Sequence, residues 1–179
     1  MDQLLKDFVA DRFDRVHSAT PCLDYPAWIQ IRDQSRRPSA TLGFRDASEG
    51  PLFLEAYLDQ PIEALVSAAL DKDIDRSEIV EIGCLAAIPS RSLIELWCET
   101  AETLRESHRV AVATLTRPLR SMFARVGIPF VELHMADPAR LADAESWGRY
   151  YQLDPVICCG EIAQGAALLE RFTARSRAQ

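Results

Sequence analysis

The chain has 179 residues, 48% of them hydrophobic, with 20 basic and 27 acidic side chains and a formal net charge of -7. That size and composition suit one packed core, residues 1–179 as a single domain, and speak against a disordered or fibrous protein, a broad nucleic-acid footprint or attraction to an anionic membrane. Five cysteines without a CxxC pair, an N-terminus with Asp2, Lys6 and Asp7 among its apolar residues, and no run near the ~20 apolar residues of a membrane span point to a cytoplasmic protein without integral membrane association.

Leu4, Leu5, Phe8, Val9, Phe13 and Val16 recur at helical spacing and predict a first helix over residues 3–18, ended by Thr20 and Pro21. Trp28 to Arg32 and Ala40 to Phe44 read as strands of a hairpin around the turn-rich Asp33 to Ser39. From Pro51 to Leu70 the pattern predicts one or two helical pieces broken at Pro61, before a charged linker, Asp71 to Glu78. Ile79 to Ile88 is the most apolar stretch and carries one charge, Glu81; it predicts a central strand, with a bulge at Gly83. Pro89 and Ser90 open a helix with Leu93, Leu96, Trp97, Ala101 and Leu104 inward, followed by the strand Val110 to Leu115. Thr116 and Pro118 open another helix, with Leu119, Met122, Phe123 and Val126 inward; Gly127 closes it before the strand Ile128 to His134. A helical turn at Pro138 to Asp143, a last strand at Val156 to Cys159, a helix from Ile162 to Phe172 and a frayed tail from Thr173 complete the chain. Alternating strands and helices with short connections make an α/β domain, a mixed sheet covered by helices.

Gly43-Phe-Arg-Asp-Ala, the long block from Pro51 through Leu-Phe-Leu-Glu-Ala-Tyr-Leu-Asp-Gln-Pro-Ile to Glu63, Ile79-Val-Glu-Ile-Gly-Cys-Leu-Ala and Trp147-Gly-Arg-Tyr-Tyr together resemble the signature of the thermostable-hemolysin family. That family is similar in layout to GNAT-type acyltransferases and acyl-homoserine-lactone synthases. The resemblance implies a GNAT-like, mostly antiparallel central sheet with a splayed, bulged strand and helices on both faces. It implies a thioester donor, acyl-CoA or the acyl-phosphopantetheine of a carrier protein, whose pantetheine arm lies along Gly83, Cys84, Leu85, Ala86 and Ala87. The pyrophosphate or phosphate would rest on the first-turn N–H groups of Ser90, Arg91, Ser92 and Leu93, where the helix dipole favours an anion. Arg117 and Arg120 fall in the segment that closes the cofactor side in that superfamily. Two positions depart from the pattern: Ser90 to Leu96 contains no glycine, and Phe123 stands where many such enzymes place a tyrosine as general acid. Without the glycines, a carrier-protein donor is on an equal footing with free coenzyme A, and arginines beside the cleft would help an acidic carrier dock.

Several residues are open to a functional and a structural reading. Glu81, alone in its apolar strand, is a general base or amine anchor, or else sits on a solvated edge or pairs with an arginine. Glu55 and Asp59 share a helical face suited to gripping an amine, and Tyr57, Asp59, Trp28 and Gly83 are the candidate substrate-binding residues; capping or surface ion pairing, also open to Glu63, is the other reading of the carboxylates. Cys84 is an acyl-accepting nucleophile or, with no histidine near it in sequence, a small buried hydrophobe. Arg91, Arg117 and Arg120 contact phosphate oxygens or simply solvate helix ends. His17, His108 and His134 lack metal-ligand spacing and are read as incidental, so no metal is expected; Trp97, Trp147, Tyr150 and Tyr151 serve equally as core or as tunnel wall.

The expected function is transfer of an acyl group from acyl-CoA or acyl-carrier protein to a small-molecule amine. The alternatives are a non-catalytic thioester-binding module and a membrane-active, hemolysin-type protein, for which no basic amphipathic helix or long apolar run is present. A symmetric homodimer is the general expectation for a soluble chain.

Overall fold

The structure is a computed structural model in which residues 2–88 and 91–177 are described. Helix α1, Gln3–His17, buries Leu5, Val9 and Phe13 along one stripe, and the Asp2 carboxylate accepts the Leu5 N–H at 2.8 Å to cap it. Strands β1, Ala27–Arg32, and β2, Pro38–Asp46, form the expected hairpin; Asp33 ties its turn by accepting the N–H groups of Ser35 and Arg37. The helical pattern before and after Pro61 resolves into a short 3-10 helix, Phe53–Tyr57, and helix α2, Ile62–Leu70, because a proline fits a helix start and not its interior.

Strand β3, Ile79–Ala87, leads to helix α3, Ser92–Leu104, and strand β4, Val110–Leu115, leads to helix α4, Arg117–Val126, with Gly127 as its left-handed C-cap at φ 87°. The strand expected from Ile128 begins later, as β5, Val131–Met135. Strand β6, Val156–Glu161, runs into helix α5, Ile162–Arg177, so the segment from Thr173 is helical rather than frayed.

The six strands lie in the order β1-β2-β3-β4-β6-β5; β3 and β4 are parallel and every other pair is antiparallel. Alternation along β3 and β4 feeds two cores. Ile79, Val110 and Val112 pack under Leu54, Tyr57, Ile62 and Val66, while Val80 packs against Leu104 of α3 and Ile162 of α5. Thus α1, the 3-10 helix and α2 cover one face, and α3, α4 and α5 the other. Among the described residues no helix is long and apolar enough to cross a membrane.

Candidate active site

β3 and β4 pair only as far as Ile82 with Ala113. Beyond that point β3 continues to Ala87 beside β2, and β4 to Leu115 beside β6, so the parallel strands part at their C-terminal ends. On the β3 side the parting coincides with a bulge: Gly43 pairs with Gly83 but Thr41 with Ala86, one more residue on β3 than on β2. Cys84 absorbs the extra residue in the left-handed region, at φ 48°, a conformation that costs a non-glycine residue roughly 1–2 kcal/mol. The expected bulge is therefore present, but centred on Cys84. Gly83 answers a different need: a side-chain carbon there would run into the Tyr25 hydroxyl, and one on its cross-strand partner Gly43 would come within 2.6 Å of the Tyr25 ring.

The extra residue leaves Cys84 and Ala86 in the α1-side cluster and Leu85 and Ala87 on the α3 side. A continuous cavity of about 510 Å³ passes between the parted strands and is lined from both faces of the sheet. On the α1 side its walls include Tyr25, Arg45, Phe53, Glu81, Trp147 and Tyr150; on the α3 side they include Trp97, Ala101, Leu104, Leu119, Phe123 and Leu169.

Glu81, Arg45, Tyr25 and Tyr150 lie on the α1 side. Glu81 is 2% exposed, and its two carboxylate oxygens accept the N–H groups of Phe53 and Leu54, each at 2.9 Å, at the start of the 3-10 helix. Burial raises its pKa above the ordinary carboxylate value, and the two N–H bonds pull only partly the other way. Arg45 donates to the carbonyl oxygens of Pro51 and Asp24 and lies over the Tyr25 ring, its guanidinium carbon 5.8 Å from the ring centre. Tyr150 donates its hydroxyl to the Thr114 carbonyl oxygen at 3.2 Å, bracing β4 where it leaves β3. Burial holds the Tyr25, Tyr57 and Tyr150 phenols above their ordinary pKa and, with the Arg149 charge, holds His17 below its own. The His17 Nδ1 and the Trp147 indole N–H are buried without a protein partner, and both residues line the cavity.

The residues singled out from sequence divide sharply. Glu81, Gly83, Cys84, Leu85 and Tyr57 line the cavity. The Tyr57 hydroxyl is held by that of Tyr151 at 2.7 Å. Cys84 is buried: burial pushes its thiol up to about 12, and its Sγ donates to the Cys22 carbonyl oxygen. Glu55 lies outside the lining, gripped by both terminal nitrogens of Arg76 at 2.7 Å, and that grip holds its pKa below the ordinary value. Glu63 joins the same arginine at 2.9 Å, and Asp59 pairs with Arg140 at 2.7 Å. Trp28 also lies outside the lining and donates its indole N–H to the Tyr25 carbonyl oxygen, a support one layer behind the wall. Arg120 is spent on the carbonyls of Leu115 and Asp154 and on the carboxylates of Glu132 and Asp154.

Ala86 is buried and Ala87 partly so along the released stretch of β3. Arg91, Ser92 and Leu93 form the start of α3, with Arg91 exposed, and exposed Arg117 starts α4; Ser90 falls outside the described residues. Both helix N-termini thus follow the parted ends of the two parallel strands. Tyr25 and Arg45 were missed as site residues. A glycine on each of two paired strands is the signal for an aromatic ring lying across them, but it becomes readable only when the pairing Gly43 with Gly83 is known. Among the described residues no three His, Cys, Asp or Glu side chains come together as a metal site.

No curated protein sequence matches the chain. Among solved structures, an apo form of TofI superposes with a TM-score of 0.63 at 14% identity, covering 95% of this chain and 91% of its own. FeeM, an N-acyl amino acid synthase from uncultured soil microbes, gives 0.61 at 12% identity and 92% coverage of both chains. The AHL synthase LasI gives 0.59 at 12% identity, with 93% of this chain and 85% of that one covered. At such identity the likeness speaks for the fold, and the mixed, mostly antiparallel sheet is the GNAT-like one expected. The profile of the thermostable hemolysin family matches residues 2–166.

Proposed function

The chain belongs to the thermostable hemolysin family, and from that premise we propose that it is an N-acyltransferase, moving an acyl group from acyl-CoA or an acyl-carrier protein to the amine of a small molecule. The observation that carries this reading is the cavity through the parted strands, with a buried carboxylate on one side and an apolar wall on the other. A thioester has those two needs: its acyl chain must leave water, and its carbonyl must meet a nucleophile beside a proton acceptor. The names of two similar structures, an AHL synthase and an N-acyl amino acid synthase, agree with it.

In this reading the pantetheine arm lies along Gly83 to Ala87, where β3 no longer pairs with β4 and its backbone edge can bond the arm's amides as a neighbouring strand would. The phosphate end falls where the N-termini of α3 and α4, with Arg91 and Arg117, follow the strand ends. The acyl chain enters the α3 side past Trp97, Ala101 and Leu104, a path of about 10 Å at 1.5 Å rise per residue, suited to a medium acyl chain. The amine approaches from the α1 side. Glu81 takes a proton from its ammonium form; the freed nitrogen lone pair forms the C–N bond, the C–S bond breaks, and the thiolate leaves with a second proton from the nitrogen, which keeps its third in the amide. Phe123 supplies none. Backbone N–H groups at the bulge stabilise the oxyanion. A cytoplasmic setting accords with buried Cys84, Cys158 and Cys159 carried as thiols.

The test is free-thiol release from a panel of acyl-CoA thioesters and acyl-carrier proteins, with and without amines. Amine-dependent release that Glu81→Gln abolishes is expected. Thioester binding without release under any amine would leave a binding module, and neither binding nor release would end the acyltransferase reading.

A further inference from the structure

A carboxylate taken out of water needs a counter-charge or full hydrogen bonding, and an ionised carboxylate offers about four acceptor sites. Glu81 receives two N–H groups, from Phe53 and Leu54. Among the described lining residues Arg45 is the one arginine or lysine; it donates to the Asp24 and Pro51 carbonyls, the Asp24 carboxylate is 3.6 Å away, and its charge also acts on Glu81. The other ionisable cation of the lining, His17, is held toward its neutral form by burial and by Arg149.

The cavity that Glu81 lines also carries a wall of rings. The Phe53 ring, on the residue whose N–H bonds Glu81, lies 5.5 Å from Trp147 and 6.1 Å from Tyr57; Trp147 lies 5.3 Å from Tyr150 and 6.4 Å from Phe13. All five line the cavity. Ring faces attract a cation, the more strongly where water is excluded, and they repel a carboxylate. The same chamber thus offers a cation an anion and π-faces, and offers an anion, among the described residues, one arginine whose charge is shared between the carboxylates of Asp24 and Glu81.

We propose that the acceptor is a cationic amine without a carboxylate, an arylalkylamine or alkylamine, and that α-amino acids are excluded from this chamber. The proposal rests on the acyl-transfer reading for its chemistry. The acceptor enters as an ammonium ion paired with Glu81, with its apolar body against Phe13, Phe53 and Trp147. It gives one proton to Glu81, and the freed lone pair attacks the thioester carbonyl. Its second proton leaves with the thiolate, and Glu81 returns the first to solvent, so amide, thiol and one proton are the products.

The test compares three probes of one ring system by calorimetry on the purified protein without thioester: tyramine, tyrosine and 3-(4-hydroxyphenyl)propionate. Tyramine is expected to bind at least tenfold more tightly than tyrosine, the propionate is expected not to bind, and Glu81→Gln is expected to weaken tyramine at least tenfold. Phe53→Leu, which keeps the backbone N–H to Glu81, is expected to weaken it severalfold and serves if Glu81→Gln does not fold. Tyrosine binding as tightly as tyramine, no binding of tyramine, or indifference of tyramine to both variants would each overturn the proposal. Tyramine binding without thiol release from any thioester would instead end the transfer reading and leave this selectivity standing.

Discussion

The two sides of the gap between β3 and β4 differ in what they can lose. On the α1 side the buried Glu81 carboxylate shares the wall with aromatic rings and is held by two backbone N–H groups; on the α3 side the wall is mostly alkyl and aromatic carbon. Directional groups fail singly, whereas an apolar wall changes by volume. Damage on the first side should therefore appear as lost rate, and damage on the second as altered choice of acyl chain.

The largest effect is expected from Glu81→Gln, which keeps shape and one acceptor oxygen while removing the base: kcat should fall by about 10²–10⁴-fold in the thiol-release assay, and retention of more than half the rate would assign the base elsewhere. Next in size is Arg76→Met. Every N–H of that guanidinium is engaged, with Ala47, Gly50, Glu55 and Glu63, so its removal should cost about 2–3 kcal/mol in urea unfolding by stranding partly buried Glu55. Turnover per folded molecule should hold within about twofold; a large fall would bring Glu55 back into the chemistry.

The same two glutamates sharpen the contrast with pH. The Glu55 pKa is depressed, chiefly by Arg76, so the stability it contributes is present above its unfolded value and lost as pH falls through the folded one. The Glu81 pKa is raised by burial, so its contribution is fully present below the unfolded value and lost as pH rises through the folded one. The rising limb of kcat against pH should lie above the ordinary carboxylate range and vanish in Glu81→Gln; a limb unchanged in that variant would contradict the assignment.

On the apolar side, Gly165→Phe tests volume. Gly165 lines the cavity early in α5, and a side-chain carbon there would touch only Ile128, at 4.0 Å. The larger side chain should shift preference toward shorter acyl donors by about tenfold in kcat/KM, the scale of one or two methylenes in a pocket. An unaltered chain-length profile would place the acyl group elsewhere. The smallest effect is expected from Cys84→Ala: with its thiol held near 12, removing it should change kcat by less than about twofold.

Much of the fold was legible. Helical spacing located α1, α3 and α4, the apolar run from Ile79 located β3, and Pro61 marked the break before α2, because each rests on local periodicity or on a proline's missing N–H. β5 was placed early, since Ile128 to Phe130 is as apolar as the strand itself and only pairing with β6 sets its start. In the site, Glu81 stood out as one charge in an apolar strand, while Tyr25 and Arg45 carried no such mark.

The sequence by itself determined the elements, the family and the one carboxylate whose burial needed a reason, since all three lie in contiguous residues. Tertiary structure alone decided what holds each acid. Glu55 and Glu81 are alike as letters, but Arg76 reaches one across 21 positions, and the Phe53 and Leu54 N–H groups reach the other across 28 and 27. Tertiary structure likewise set the facing of everything after Gly83, because a bulge is a mismatch between two strands and is written in neither alone.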